Sequence, residues 1–337
     1  MAPNATTATT ATTTRTTPAA GGDAAHRTEH TVTVDAAPAA VFALIADVSG
    51  WPQVFGPTVH AEAEEEPDGR QTLRIWALAG DRVRHWTSRR ILDASARTVS
   101  FRQVVSAHPV AAMGGEWRVE PVDGGGSRVV LLHDYRAVDD DPAAVELIGE
   151  AVDRNSRAEL AALRNAAELG AARDELALTF EDSVDIAGRA EDVYAFLDRA
   201  DRWPERLPHV ARLELTEDEP GIQRMDMDTR SPDGSVHNTT SARVCFPGRH
   251  VLVYKQLRVP VAMSVHTGRW EIVPHGDGVR ATSRHSVVLD PEGVRHALGQ
   301  QATYAEARAL VRRALGTNST TTLRHAKEFA EAVRART

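Results

Sequence analysis

Val32 and Val34 alternate with polar neighbours, the period-two pattern of a strand buried on one face. Val41, Phe42 and Ile45 follow at helical spacing until Trp51-Pro52 interrupts the helix. Alternating segments then recur over roughly 59–66, 71–78, 82–92, 98–104, 110–120 and 127–138. Turn signals such as Pro67-Asp68-Gly69 and Gly124-Gly125-Gly126 separate them and predict hairpin-linked antiparallel neighbours. The closing segment changes period. Asp141 is placed to cap a helix and Pro142 to begin it, and apolar positions at 145, 148, 152, 160 and 163 mark a long amphipathic helix. The pattern predicts an α+β fold in which a curved antiparallel sheet wraps around one long C-terminal helix. Such a sheet cannot close on the helix along its whole length, so an internal cavity is expected.

The same plan occurs twice. Val34, Val41, Trp51 and Pro52 match Ile186, Val193, Trp203 and Pro204, all displaced by 152 positions. The displacement becomes 153 from Thr87-Ser88-Arg89-Arg90 against Thr240-Ser241-Ala242-Arg243 through Trp117 against Trp270, and returns to 152 at His133 and His285. Asp141-Pro142 has its counterpart in Asp290-Pro291, but extra residues precede Asn318, so the second long helix or the loop before it must differ. The repeat predicts tandem domains at 29–171 and 172–337. Residues 1–28, rich in Thr, Ala, Pro and Gly, lack the apolar side chains that would offset the entropy of ordering, and are expected to form a disordered tail.

Composition narrows the functions. The formal charge of −8 argues against a general nucleic-acid binder, and no apolar run reaches the roughly 18 residues needed to span a membrane. The single cysteine, Cys245, excludes an internal disulfide and points to a reducing cytoplasm. Between Val244 and Phe246 it reads as a core thiol. The scattered histidines form no metal-site spacing, and Gly124-Gly125-Gly126 opens no helix, so neither a metal nor a nucleotide cofactor is expected.

Three polar positions stand out. On one strand Trp86, Ser88 and Arg90 share a face. Arg90 either joins Arg82 and Arg84 in solvent, or stands beside Trp86 on a cavity wall as a permanent cation. His133 shares a face with Val129, Leu131 and Tyr135, which makes it either a hydrogen-bonded core histidine or a catalyst. Asp153 interrupts the apolar pattern of the long helix, as a solvent-facing residue or as a cavity-facing carboxylate.

Val41-Phe42 through Trp51-Pro52-Gln53-Val54-Phe55, then His85-Trp86-Thr87-Ser88-Arg89-Arg90 and Glu116-Trp117, resemble the aromatase/cyclases of bacterial type II polyketide synthases, and the tandem form resembles their didomain members. The resemblance implies the helix-grip fold of START-type carriers and birch-pollen-like allergens. It implies that Arg90, His133 and Asp153 are catalytic, and that Trp51, Phe55, Trp86, Ser88, Met113, Trp117, Tyr135 and Asn155 line the substrate pocket. In the second domain it implies a pocket with Trp203, Ser241, Arg243, Trp270, His285 and Asn318. A pocket tyrosine of some monodomain members is Thr58 here, so roles resting on it do not transfer. The implied reaction is cofactor-free aldol closure and dehydration of a ketoreduced poly-β-ketone, with the first ring between carbons 7 and 12. The chain would be carried by the phosphopantetheine of an acyl carrier protein, with the ketosynthase and ketoreductase of the same synthase as further partners. His133 would act as base, Asp153 would orient it, and Arg90 would stabilise the enolate or alkoxide oxygen. In the second copy Gly316 replaces Asp153 and Thr239 replaces Trp86. The first domain is therefore expected to be the main catalyst, and the second structural, assisting or specialised for a later dehydration. A non-catalytic carrier or sensor of a hydrophobic small molecule is the alternative on the same fold, and a pocketless scaffold is a third.

Overall fold

The computed structural model describes residues 14–18, 26–230 and 234–336. They form two compact units, one within residues 1–77 and 84–170 and the other within 78–83 and 171–337. The first unit contains β1 (Thr14–Pro18), β2 (His26–Val34), α1 (Pro38–Ala46), α2 (Trp51–Val54), β3 (Thr58–Glu65), β4 (Gln71–Ala79), β5 (Arg82–Asp93), β6 (Thr98–Gln103), β7 (Val110–Pro121), β8 (Ser127–Ala137) and α3 (Pro142–Glu168). Its sheet runs in the order β1-β2-β8-β7-β6-β5-β4-β3. Pairing of β2 with β8 brings the first and last strands of the repeat together and bends the sheet around α3. The segment read as a disordered tail is corrected at two points: Thr14–Pro18 pairs antiparallel with β2, and β2 itself begins at His26. Open main-chain groups along β2 offer partners that no apolar side chain is needed to recruit. The remainder of that tail lies outside the described residues.

Local chemistry sets the helix ends as expected. Pro38 opens α1, and the side chain of Asp141 accepts a hydrogen bond from the Ala143 amide, at 3.2 Å, to start α3. Leu160, Leu163 and Ala167 of α3 then meet Val32, Val34, Val99, Trp117, Val129 and Leu131 of the sheet. Each such side chain contributes about 1.5–3 kcal/mol by leaving water.

The second unit repeats this plan with α4 (Gly170–Leu176), β9 (Ala177–Ile186), α5 (Ala190–Asp198), α6 (Trp203–Arg206), β10 (Val210–Glu219), β11 (Ile222–Arg230), β12 (Val236–Phe246), β13 (Val251–Arg258), β14 (Met263–His275), β15 (Gly278–Leu289), α7 (Pro291–Leu298) and α8 (Tyr304–Arg334). Strand order is β10-β11-β12-β13-β14-β15-β9, with first and last strands again adjacent. The extra residues seen in the sequence form α7, which ends at Gly299 with φ +97°. A capping box between Thr303 and Glu306 then starts α8 afresh. Among the described residues no helix is long and apolar enough to cross a membrane.

One row of inward residues crosses each sheet in register. In the first unit Arg90 lies opposite Phe101, Phe101 opposite Gly115, Gly115 opposite His133, and His133 opposite Thr28. In the second the row reads Arg243, Tyr254, Gly268, His285 and Phe180. The glycine lets the aromatic ring lie flat toward the histidine. A Cβ on Gly115 would sit 2.0 Å from the Leu132 carbonyl oxygen and 2.7 Å from the Phe101 ring. Because the nearer obstacle is backbone, Gly115→Ala is expected to cost about 1–3 kcal/mol or more. Gly56→Ala, with nothing within 4 Å, should stay within about 0.5 kcal/mol of wild type. Urea midpoints of the two variants test this, and equal midpoints would refute the close approach.

Candidate active site

Arg90 is buried at 3% exposure, and with Trp86 and Ser88 it faces the helix, whereas Arg89 and Ile91 face out. Its guanidinium is fully engaged. Nε donates to Gln71 Oε1 at 2.7 Å, Nη2 to the Ala46 carbonyl at 2.6 Å and Nη1 to the Ile45 carbonyl at 3.3 Å. Those carbonyls end α1, where unpaired C=O groups and the negative end of the helix dipole both favour a cation. The Trp51 indole donates to the same Ile45 carbonyl at 3.1 Å, and its ring lies 5.8 Å from the guanidinium carbon. The Trp-Pro motif and the distant arginine thus serve one helix end. Burial lowers the Arg90 pKa to about 10, which leaves it cationic at neutral pH.

The aromatic wall continues from there. Phe55 meets Trp51 edge-on at 5.7 Å and Trp117 at 6.4 Å, while Trp86 packs on a cluster of Val48, Ala61, Leu73, Ile75 and Ala77. Met113 and Tyr135 pack with Ile148 and Val152 of α3, and the Tyr135 ring stacks on His26 at 5.6 Å. Trp51, Trp86, Phe101, Gln103, Met113 and His133 remain half-buried although they lie on the helix-covered face. These side chains are partly covered and partly accessible. A separate cavity of about 670 Å³ is lined by Arg27, Arg89, Ile91, Arg102, Glu116, Leu132 and Asp134 together with Arg90, Phe101, Gly115 and His133. Neighbours along a strand face opposite sides, so this cavity opens on the outward face with the main chain of the Arg90–His133 row as its floor.

His133 stands 5.5 Å from the Phe101 ring, and its Nδ1 lies 3.4 Å from Ser156 Oγ. Burial, reinforced by His30, lowers its pKa to about 4. At that value the imidazole is neutral at pH 7.

Asp153 is tied to His30 and Arg157. One carboxylate oxygen lies 2.9 Å from His30 Nε2 and the other accepts from Arg157 Nε at 2.9 Å. Asn155, expected in the pocket, is exposed. Helical phase explains both placements. At 100° per residue the buried stripe of α3, Ile148, Val152, Ser156, Leu160, Leu163 and Ala167, is centred between Ser156 and Leu163, and Asp153 and Asn155 fall on its opposite flanks. Glu159 lies toward the Asn155 flank of that stripe, half-buried, and burial raises its carboxyl pKa to about 7. The sequence reading passed over it.

In the second unit Trp203, Ser241, Arg243, Trp270 and His285 are all buried. Asn318 is half-buried, and the neighbouring Ser319 takes the buried position. Arg243 Nη2 donates to the Leu197 carbonyl at 2.6 Å and the guanidinium lies 5.4 Å from the Trp203 ring, the arrangement of Arg90 and Trp51 again. Asp182 occupies the strand position of His30 and pairs with Arg312 of α8 at 2.7 Å, so the bond from helix to first strand survives with its partners exchanged. Burial raises the Cys245 thiol to about 12, which makes it an unreactive core residue.

A model of the polyketide cyclase/dehydrase and lipid transport family matches residues 25–168 and again 177–328. The granaticin polyketide synthase bifunctional cyclase/dehydratase of Streptomyces violaceoruber is 46% identical over 307 residues, spanning 91% of this chain and 94% of that protein. The actinorhodin counterpart of Streptomyces coelicolor is 44% identical, spanning 89% and 96%. Crystal structures agree over both units. The di-domain ARO/CYC BexL from the BE-7585A biosynthetic pathway is 49% identical with a TM-score of 0.84, over 90% of this chain and 98% of that one. StfQ from the steffimycin pathway is 38% identical with a TM-score of 0.82, over 92% and 99%. With a buried arginine set beneath a tryptophan in each of two helix-grip units, and relatives matched along nearly their whole length, this chain belongs to the polyketide cyclase/dehydrase family.

Proposed function

We propose that the protein closes and dehydrates the first ring of a ketoreduced poly-β-ketone, between carbons 7 and 12, while the chain hangs from the phosphopantetheine of an acyl carrier protein. The observation that carries this reading is the row of arginine, aromatic residue, glycine and histidine set among half-buried aromatic side chains on the helix-covered face. A flexible ketide folded against Trp51, Trp86, Phe101 and Trp117 would bring one methylene to one carbonyl, so proximity supplies much of the rate. The methylenes between two carbonyls are already acidic and need only a modest base. His133 of the row, beside Ser156, and the half-buried Glu159 of α3 are the two candidate groups for taking that proton. Arg90 supplies the positive potential toward which the enolate or alkoxide oxygen develops, held rigid by its three bonds. Asp153 acts at most through His30, as a positioning residue. The lone buried thiol fits a cytoplasmic enzyme working beside the ketosynthase and ketoreductase of its synthase.

Arg90→Ala removes both the field and the donors for Ile45, Ala46 and Gln71. With a reconstituted minimal synthase, and with near-UV circular dichroism to confirm the fold, aromatic product should fall at least about tenfold. Undiminished aromatic product would reject this site. Glu159 gives a pH test. A carboxyl whose folded pKa is raised binds its proton more tightly in the native state, so its contribution is complete below pH 4.5, declines as pH rises toward 7, and is absent above. Wild type should therefore lose stability relative to Glu159→Gln between pH 5 and pH 8, by about 3 kcal/mol at most, in urea unfolding. A difference independent of pH would return Glu159 to solvent.

A further inference from the structure

The two units differ at two rungs of the shared row, Thr28 against Phe180 at its end and Phe101 against Tyr254 within it. Where the first has Phe101, the second has Tyr254, and its hydroxyl lies 3.2 Å from His285 Nδ1. His285 is fixed from every side. Its Nε2 lies 3.2 Å from Ser283 Oγ, the Phe180 ring stacks on it at 4.9 Å, and His266 Nε2 approaches its Nδ1 to 3.0 Å. Gly268 makes room for the phenol, since a Cβ there would lie 2.2–2.4 Å from the Tyr254 ring and hydroxyl. Both histidines are buried, but Tyr254, Gln256, Thr239 and Met227 remain half-open on the helix-covered face. The phenol is thus the most accessible member of this hydrogen-bonded group.

Polar atoms around it lack partners. Ser241 Oγ, Arg243 Nη1, Gln256 Oε1 and His266 Nδ1 are buried without a hydrogen bond among the described residues. Ser241 faces Gln256 and Arg243 faces Tyr254 across neighbouring strands, so three of the four stand beside the phenol. Each unsatisfied group costs about 1–3 kcal/mol unless a ligand supplies the partner. Arg90 in the first unit leaves no nitrogen idle, whereas Arg243 keeps one donor unused. A substrate oxygen would satisfy it. The two long helices differ in the complementary sense, because Thr322 of α8 takes the place of Glu159, counted from Asn318 against Asn155. One unit therefore carries a carboxyl acid–base group and the other a phenol.

Resting on the polyketide reading above, we propose that Tyr254, relayed through His285, is the catalytic residue of a second site in the second unit, which removes water from a β-hydroxy ketone. Tyr254 Oη takes the α-proton of the substrate as its own proton passes to His285 Nδ1. The C–H electron pair forms the enolate, whose oxygen Arg243 Nη1 receives. The enolate then collapses to C=C and expels the β-hydroxyl, which Tyr254 protonates while recovering its proton from His285. One C–H and one C–O bond break, one water leaves, and the relay is restored without an external oxidant or reductant. Burial lowers the His285 pKa to about 4, so the imidazole begins each cycle neutral and holds the relayed proton only transiently.

The test uses the full chain with a reconstituted ketosynthase, acyl carrier protein and ketoreductase. Tyr254→Phe installs the side chain that the first unit already carries at this rung, and its thermal midpoint should match wild type. Dehydrated product should fall about 100-fold, with the ring-closed hydroxy compound accumulating in its place. Slowing of dehydration in D2O, measured for wild type, should vanish in the residual activity of the variant. His285→Gln should accumulate the same compound. Wild-type dehydration by Tyr254→Phe would overturn this proposal alone, whereas absence of any cyclised product with the unaltered protein would overturn the preceding reading along with it.

Discussion

A buried guanidinium at the C-terminal end of a short helix holds each unit together. Arg90 reaches from β5 across the chamber to carbonyls of α1, and Arg243 does the same from β12 to α5. A cation this deep persists only if its donors and charge are both matched, and a helix end offers the two at once. Without that contact α1 would end in unpaired carbonyls, and the indole of Trp51 would lose the partner that sets its angle. The charge that serves the chemistry is thus also the charge that fixes the chamber wall, so structural and chemical roles cannot be separated by removing the side chain.

Duplication has kept that frame and varied what fills it. The arginine, the glycine and the histidine occupy the same rungs in both sheets, while Phe101 and Tyr254 differ by one hydroxyl. The tie between helix and first strand likewise persists as a contact while its chemistry changes, from His30 with Asp153 to Asp182 with Arg312. What endures is geometry, and what diverges is the set of proton donors and acceptors placed on it.

Much of this was legible in the sequence because strands declare their faces. Period-two alternation set Trp86, Ser88 and Arg90 on one face, and burial of Ser88 and Arg90 makes it the inner one, while a displacement held at 152 or 153 residues revealed the tandem plan. The long helix was read less well. Its polar cluster at Asp153-Arg154-Asn155 drew notice by composition, yet two residues turn a side chain by 200° on a helix, so Asp153 and Asn155 leave the buried stripe on opposite flanks. Proton affinities were hidden for another reason: His133 and Glu159 shift in opposite directions because burial penalises whichever form is charged, and depth cannot be read from residue type. The pairing of Tyr254 with His285 joins residues 31 positions apart through two strand registers that a sequence alone does not fix.

Strand β1 has a consequence of its own. By lying along β2 it takes up the backbone hydrogen-bonding edge that would otherwise run bare from His26 to His30. The β1 backbone thereby becomes the outermost border of the sheet, and its closing Pro18 has no amide hydrogen to offer a further strand. A segment expected to be a loose tail by composition therefore acts in part as a selvedge for the sheet.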